Sequence, residues 1–421
     1  MPPFPLPRIP SALVPAILPA LLAAQTGVNT NIIPLGDKES LMGNTGTAGL
    51  GSTGAVYYNP AAMTQLEGTS FSLSGSAYMR YEFAGEPAAV LDGNELNYTG
   101  TGYQTVPTSV IMMRRAGEWH LGFSVLVPSQ FAFEGVNTWD LTIAGRGLAI
   151  RLEQSYEESL FLAGLSAARK LDERWSVGIS LYGQNYSYLA TVDSRVQFSD
   201  SPELLSQSSQ RVKFSPTGLL PILGLHRKGE RVDLGLRVSL PSLRLWGTGS
   251  YYDMTYGNLA GAGTGTTEVV DVTDTDADHR TPLDVRIGAT VHASERWLLA
   301  TDLSYGLGLD YDVLADPRAD FSRKLEDTYR LSLGAEFAWR PDRALLGGLS
   351  YTPSTYSESG ITNSLDYLAF TLGGKITGEH TETSAGLFHA FGKGDLPLDN
   401  GEAGTQLFSY LGLFLGTNVK F

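Results

Sequence analysis

The chain has 421 residues, with 48 glycines, 20 tyrosines, 17 phenylalanines, no cysteine and a formal net charge of −14. That charge argues against nucleic acid as a partner, because phosphate binding needs a basic surface. The lack of cysteine excludes disulfides and thiolate sites for catalysis or metal binding. No stretch supplies the roughly 20 uninterrupted apolar residues that a membrane-spanning helix needs.

Residues 1–24 are predicted to be a signal peptide. Arg8 is the lone positive charge, an apolar run follows from Ile9 to Leu22, and small residues precede Gln25. This order is typical of an exported chain with a cleavage site. Prolines inside the apolar run disturb its helix, so a disordered proline-rich leader is the alternative.

Residues 25–68 are too long and too rich in glycine to form a strand. Glycine permits tight packing and positive φ, which suits a segment folded in a confined space. Its glycine spacing is also reminiscent of a phosphate-binding turn. However, no lysine follows it and no βαβ unit surrounds it, which argues against nucleotide binding.

From residue 69 onward the sequence repeats segments that alternate apolar and polar residues. Trp119, Leu121 and Phe123 alternate with polar and small residues, for example. A period of two predicts strands with one apolar face. The opposite faces carry four charged residues, which would face water in a soluble sandwich or a polar lumen in a barrel: Arg237, Arg286, Arg330 and Glu336.

The turns favour the barrel. We identify six short turns alternating with seven long connections, the asymmetry of a transmembrane barrel. Four tryptophans lie beside the short turns, as an aromatic girdle requires: Trp119, Trp175, Trp297 and Trp339. Residues 69–421 are therefore predicted to form an all-β fold, a transmembrane antiparallel barrel of about fourteen strands.

The last predicted strand places Leu411, Leu413, Leu415 and Val419 on one face and stops at Phe421. A terminal strand that ends on an aromatic residue resembles the assembly signal of bacterial outer-membrane barrels. We expect the cell outer membrane as the location, with its lipid and lipopolysaccharide as surroundings. The barrel assembly machinery is the expected partner of Phe421, and the last strand of a soluble sandwich is the alternative.

A more specific resemblance comes from Ala55-Val-Tyr-Tyr-Asn-Pro-Ala-Ala-Met63, which follows the glycine-rich stretch and precedes the barrel. With Asn59, Pro60 and Ala61 matching the hatch motif, the mature chain resembles the FadL/TodX family. These are outer-membrane transporters of long-chain fatty acids and aromatic hydrocarbons. The resemblance implies that residues 25–68 form a hatch that plugs the lumen from the periplasmic side.

The family also implies a route for the ligand. It is captured in a groove among the outer loops, passes to an apolar pocket, and leaves sideways beside a kink in the third strand. By this correspondence Gly122 and Pro128 are candidates for the lateral gate. Phe131 and Phe133, at the start of a long connection, are candidates for the groove. Packing of these aromatic residues against the rim is the simpler alternative.

A carboxylate ligand would require a cation. Arg146, Arg151 and Arg318 lie in or near predicted outer loops and are the candidates, whereas a hydrocarbon would need none. The acidic run Asp271–Asp278 is expected to be a solvated loop, with calcium binding as the alternative. The histidines show no ligand spacing, so no metal and no cofactor are predicted.

The sequence thus predicts a protein that is not an enzyme and that facilitates uptake of fatty acids or hydrocarbons. A barrel of the same build that serves as a binding or shuttle component of a secretion system is the alternative. A barrel enzyme is a third, unsupported reading. A ligand-sized apolar cavity beside the hatch would favour transport, and a filled interior would favour the secretion component.

Overall fold

The computed structural model describes residues 35–143, 145–258, 265–319, 321–358, 361–398 and 403–421. The predicted signal peptide and the first residues of the predicted hatch lie outside these ranges. Within them, no helix has the length and apolar character needed to cross a membrane.

Eighteen strand segments make up the sheet. They are β1 (Thr69–Leu91), β2 (Asn94–Ala116), β3 (Trp119–Ile143), β4 (Arg146–Lys170), β5 (Trp175–Phe198), β6 (Ser201–Arg227), β7 (Val232–Ser239), β8 (Leu243–Gly257), β9 (Thr266–Asp276), β10 (Asp284–His292), β11 (Trp297–Gly306), β12 (Leu309–Asp312), β13 (Ser322–Leu325), β14 (Thr328–Arg340), β15 (Arg343–Glu358), β16 (Ile361–Thr377), β17 (Thr381–Pro397) and β18 (Ala403–Lys420).

The sheet closes on itself because β1 pairs antiparallel with both β2 and β18. At the seam the backbone N–H of Phe421 donates to the carbonyl oxygen of Thr69 at 2.9 Å. Four of the strands are each interrupted once, so the eighteen segments form a closed barrel of fourteen antiparallel strands. The predicted fold class and strand number are confirmed.

Side chains alternate between the two faces of the wall. Leucine, isoleucine, valine and phenylalanine are exposed around the outside, while serine, threonine and charged side chains of the same strands are buried inside. All four tryptophans beside the short turns are exposed on the outer surface, at or next to a strand end. This apolar band with aromatic residues at one edge is the surface of an outer-membrane barrel.

All six short turns fall where they were predicted, but the long connections are mostly strand. Residues 84–105 and 129–156 continue as paired strands β1–β2 and β3–β4 up to tight turns. The prediction of loops there was wrong because polar residues such as Arg151 and Glu153 face outward. The alternate positions, Ile150 and Leu152, are buried in the upper barrel, the half away from the short turns.

Residues 35–66, which we call the inner segment, lie inside the barrel. The segment contains the short helices Glu39–Leu41, Ala55–Tyr58 and Pro60–Gln65. Its chain contacts opposite parts of the wall: the Thr371 hydroxyl of β16 donates to the Leu41 carbonyl at 2.9 Å, and the Asn59 amide donates to the Leu225 carbonyl of β6 at 3.0 Å. Such contacts on opposite sides require the segment to cross the lumen.

Glycines make room for the inner segment on the wall. A Cβ built on Gly235 would fall 1.8 Å from the Thr47 carbonyl oxygen, and one built on Gly348 would fall 2.0 Å from the Gly43 nitrogen. No side chain fits at either position. Eight such glycines form four pairs, and in each pair the two glycines lie opposite each other on neighbouring wall strands. We call these pairs the glycine belt: Gly178–Gly224, Gly235–Gly288, Gly334–Gly348 and Gly373–Gly386.

Candidate functional site

The wall is interrupted between β2 and β3. Residues 109–116 pair continuously with residues 119–126, and pairing is found again only at Thr101 and Glu134. Residues 102–108 therefore face residues 127–133 without ladder pairs. Pro128 lies in this stretch, where its missing N–H cannot donate to a neighbouring strand.

The same place carries a β-bulge on the other side of β3. The register between β3 and β4 shifts by one residue between Leu126 and Ser129. One extra residue inverts the pleat, because side chains alternate with a period of two. Trp119 and Phe123 below the bulge face outward, whereas Phe131 and Phe133 above it are buried in the lumen.

The bulge displaces the β3 backbone into the barrel. The hydroxyl of Tyr81, an inward-facing residue of β1, donates to the backbone carbonyl of Gln130 at 3.0 Å. We call residues 102–108 and 127–133, which share no ladder pairs with each other, the wall break. Of the two predicted gate residues, the structure places Pro128 in the wall break. Gly122 lies in the continuously paired part, where an added Cβ would meet Met63 and Val56 of the inner segment.

A cavity of about 100 Å³ lies inside the barrel next to the wall break. Pro128 and Ser129 line it on the side of β3, and Tyr57 of the inner segment also lines it. Apart from Ser239, Thr281, Gly306 and Thr328, the rest of its lining divides into apolar side chains and charged ones. The apolar part is Leu160, Leu162, Leu220 and Pro282, and the charged part is Arg237, Asp284, Arg286 and Arg330.

Aromatic side chains fill the barrel above this cavity. The Phe131 ring lies 5.0 Å from that of Tyr81 and 5.5 Å from that of Tyr156, measured between centroids. Phe133 stacks on Tyr156 at 5.7 Å. The two predicted groove phenylalanines are therefore brought together, but on β3 within this upper aromatic cluster rather than on a loop.

The predicted carboxylate-binding arginines are not brought together, and each has a local acidic partner. Arg146 binds Asp200 with an Nη2–Oδ1 distance of 2.7 Å, and Arg318 binds Asp316 at 2.7 Å between Nη2 and Oδ2. Arg151 pairs with Glu153 on its own strand. None of the three arginines lines the cavity beside the wall break.

The predicted hatch motif is tightly held against β5 and β6. The Asn59 amide nitrogen donates to the Thr47 carbonyl at 2.7 Å, and its Oδ1 accepts from the backbone N–H of Ala61 at 3.1 Å. This bond caps the short helix that Pro60 begins. A Cβ added at Gly224 would fall 2.1 Å from Asn59 Oδ1, so the motif and the glycine belt are complementary.

Ion pairs attach the start of the inner segment to the opposite wall. Lys38 Nζ lies 2.5 Å from Glu336 Oε2 of β14, and Lys375 Nζ of β16 lies 2.5 Å from Glu336 Oε1. All three groups are largely buried. The neighbouring acids of the segment are also buried. Burial and the Glu382 charge raise the pKa of Asp37 to about 6, and burial and Asp37 raise the pKa of Glu39 to about 8.

A second, larger cavity of about 460 Å³ opens at the end of the barrel with the short turns. Gln65 of the inner segment, His226, Asp233 and His292 line it, together with basic and acidic turn residues. Within the described ranges, no group of three or more histidine, aspartate or glutamate side chains is arranged to hold a metal. The acidic run that begins at Asp271 contributes to none.

A kink in the third strand was expected, with Gly122 and Pro128 as the candidates, but two features of the site were not predicted. One is the one-residue bulge between Leu126 and Ser129 that bends β3. The lumen-facing direction of Arg237, Arg286 and Arg330 was predicted and is confirmed by their burial. The other unpredicted feature is that these three arginines line one cavity, because this depends on the register between strands that are distant in the chain.

No protein-family model matches the sequence, and a search of curated protein sequences finds no match. Several solved structures are similar. The toluene transporter TodX of Pseudomonas putida has a TM-score of 0.62 at 15% identity, covering 93% of this chain and 99% of that one. A FadL homologue of Pseudomonas aeruginosa has a TM-score of 0.60 at 13% identity, covering 92% and 100%.

The toluene transporter TbuX of Ralstonia pickettii is also similar, with a TM-score of 0.59 at 13% identity, covering 93% of this chain and 99% of that one. These likenesses extend over nearly the whole chain, from the inner segment to the last strand. The strand and turn pattern predicted this closed barrel, and the hatch motif together with the barrel predicted the likeness to this family. The chain has the fold of the FadL/TodX-type outer-membrane channels.

Proposed function

We propose that this protein facilitates the passage of hydrophobic compounds across the outer membrane. The observation that carries the proposal is the wall break, which lies at the height of an internal cavity and shares Pro128 and Ser129 with it. A stretch of wall without ladder pairs, beside a partly apolar cavity, suits the sideways exit of a solute that partitions into lipid. Burial of the solute contributes about 25 cal/mol per Å² of apolar surface.

The proposed path runs from the outer end of the barrel to the membrane. The rings of the upper aromatic cluster, including Phe131 and Phe133, offer apolar contacts and would rotate to admit a ring or an alkyl chain. The solute would then reach the cavity and leave sideways through the wall break. The solved structures named as toluene transporters support this class of cargo.

The inner segment would act as the hatch. It obstructs the lumen below the cavity and is held by the glycine belt, by the Asn59 hydrogen bonds and by the Lys38–Glu336 ion pair. A path that ends at the wall break does not require the segment to leave the barrel. A shift of Tyr57, which lines the cavity, would suffice to change its affinity for cargo.

The test is uptake of labelled toluene and labelled octanoate by cells that lack their own outer-membrane transporters for these compounds. We expect cells that produce this protein to take up at least one of the two several-fold faster than cells with an empty vector. Native mass spectrometry of the purified protein, with extraction of bound molecules, would identify the cargo. The proposal would be contradicted if cells with the protein took up both compounds no faster than cells with the empty vector and the purified protein retained no ligand.

A further inference from the structure

Three arginines of the lumen lie at the same level on β7, β10 and β14, with β11 between the last two. Arg237 of β7 is directly opposite Arg286 of β10. Arg286 is opposite Ser304 of β11, and Ser304 is opposite Arg330 of β14. We call Arg237, Arg286 and Arg330 the arginine row; their exposed fractions are 4%, 4% and 8%. Like charges on adjacent strands repel, so this row requires negative charge nearby.

The described carboxylates supply only part of that charge. Asp284 Oδ1 accepts from Arg237 Nη1 at 2.5 Å. Asp302 is near Arg286, but its Oδ2 accepts three hydrogen bonds from the inner segment. Their donors are the backbone N–H of Gly46 at 2.9 Å, that of Thr47 at 3.0 Å and the Thr47 hydroxyl at 2.8 Å.

The remaining guanidinium groups are less well satisfied. Arg330 Nε donates to the Thr352 hydroxyl at 2.9 Å, a neutral acceptor. Arg286 Nε has no hydrogen-bond acceptor among the described residues. A buried donor without an acceptor is destabilising, and more so when it is charged. Arg286 therefore has unused capacity to bind an anion, and it lines the cavity beside the wall break.

The opposite side of that cavity is apolar. Leu160 and Leu162 of β4, Leu220 of β6 and Pro128 line it. The cavity has a volume of about 100 Å³, smaller than the cavity of about 150 Å³ in another protein that binds benzene. A ligand with one ring or a short alkyl chain therefore requires the lining side chains to move apart, with cationic groups at one end and apolar groups at the other.

We propose that the cavity binds a small monocarboxylate with an apolar body, such as an aromatic or short-chain acid. The carboxylate accepts hydrogen bonds from Arg286 and Arg330, and the apolar body packs on Leu162 and Leu220 toward the wall break. Guanidinium groups bind carboxylates with two parallel hydrogen bonds, which fixes the orientation of the ligand. This inference rests on the proposed function, because it names the cargo class for the same cavity.

Binding in this position would also involve the inner segment. Arg237 Nε donates to the Tyr57 carbonyl at 3.0 Å, and the Arg237 guanidinium lies 4.9 Å from the Tyr57 ring centroid. Arg286 lies 5.6 Å from the ring centroid of Tyr58. An anion that draws the arginines toward the cavity would change these contacts, so cargo and inner segment are linked through the arginine row.

The experiment compares benzoate with benzyl alcohol, a neutral molecule of similar shape. Equilibrium dialysis would measure both labelled probes on the full mature chain in lipid nanodiscs, with protein-free nanodiscs as the blank. The variants are R286Q and, as a matched control, R318Q, an arginine on the exposed turn after β12 that pairs with Asp316. Heat-modifiable migration on gels would check that each barrel is folded.

We expect the unchanged protein to bind benzoate more tightly than benzyl alcohol. R286Q should weaken benzoate binding roughly 10- to 100-fold, the range for a hydrogen bond to a charged group, and leave benzyl alcohol within about twofold. R318Q should change neither. If R286Q does not fold, R330Q replaces it, with the same expected result.

Two results would overturn the inference. One is a folded R286Q or R330Q variant that binds benzoate as well as the unchanged protein, and the other is an unchanged protein that prefers the neutral probe. If the protein binds benzyl alcohol and transports toluene but ignores benzoate, the inference fails and the proposed function stands. If it binds neither probe and transports nothing hydrophobic, both fail.

Discussion

The hydroxyl of Tyr81 donates to the backbone carbonyl of Gln130 at 3.0 Å, joining the first barrel strand to the displaced part of the third. Gln130 pairs with Ser159 of β4 but has no ladder partner on the side of β2. Tyr81 also stacks on Tyr410 of the last strand at 4.8 Å. The bent conformation of β3 is thus supported from inside the lumen.

Tyr81→Phe tests this support. The substitution keeps the ring stacking and removes a hydroxyl that lies 3.0 Å from the Gln130 carbonyl and 3.1 Å from Gln104 Oε1. A hydrogen bond of this kind contributes about 1 kcal/mol. We expect β3 residues 129–133 to exchange their amide hydrogens several-fold faster, with the barrel intact. Tyr329→Phe, on the exposed face of β14, is the control. Unchanged exchange in Tyr81→Phe would show that the bulge alone holds the bend.

Glu336→Gln tests the attachment of the inner segment. The substitution leaves buried Lys38 with a neutral partner, while Lys375 keeps Glu382 at 3.6 Å. Breaking a buried pair such as Lys38–Glu336 typically costs about 3–5 kcal/mol. We expect the segment to leave its position more often, which would raise the ion conductance of the protein in planar bilayers by roughly tenfold or more. Glu118→Gln removes the exposed partner of Arg169 and should leave conductance unchanged. Equal conductance of both variants would contradict the attachment.

The position of the inner segment should depend on pH. Burial raises the pKa of Asp37 to about 6 and that of Glu39 to about 8, each with help from a neighbouring acid. A released segment would have its acids near their ordinary pKa of about 4. Because the bound segment prefers protonated acids, its stability is full below about pH 4 and is lost as the pH rises through 6 and 8.

A single cysteine can report this dependence, because the chain has none of its own. Thr53→Cys places a thiol at a buried position of the inner segment, and Glu173→Cys places one on a short turn as the reference for thiol ionisation. We expect the protection of the buried thiol to fall roughly tenfold or more between pH 5 and 8.5. Glu39→Gln should remove most of the change. Protection that is constant or rises with pH would be incompatible with this account.

Gly235→Ala tests the glycine belt. The new Cβ would fall 1.8 Å from the Thr47 carbonyl oxygen, so the inner segment must move. We expect a folded barrel in which the thiol of Thr53→Cys loses its protection. Gly412→Ala is the matched control, since its Cβ would have no neighbour closer than 3.5 Å. If both variants protect the thiol equally, the belt is not what positions the segment.

The features predictable from the sequence are those that depend on neighbouring residues. The alternation around Trp119, the short turns and the hatch motif at Asn59 each involve a few consecutive positions, and they predicted the barrel and its strand number. Features that depend on register were not predictable. The pairing of Gly235 with Gly288 and of Arg237 with Arg286 joins residues about 50 positions apart.

The position of Phe131 shows the same limit within a single strand. Simple alternation through Pro128 would place this ring on the outer face of the wall, or on a loop if the strand ended. The extra residue in the bulge turns it into the lumen instead. A proline alone does not distinguish a bulge from a strand end, so Pro128 could be named as a candidate for the kink, but the bulge and the inverted pleat above it could not be predicted.

The most direct test of the central claim, that hydrophobic cargo leaves through the wall break, is toluene uptake by cells that produce Ser129→Trp. The indole would fill the cavity side of the break, whereas Ser129→Ala would leave it open. Thr383→Trp adds the same side chain to the exposed outer face of β17, near the short turns, as a control. We predict that Ser129→Trp lowers uptake at least tenfold while both other variants transport normally. Normal uptake by a folded Ser129→Trp barrel would contradict the lateral path.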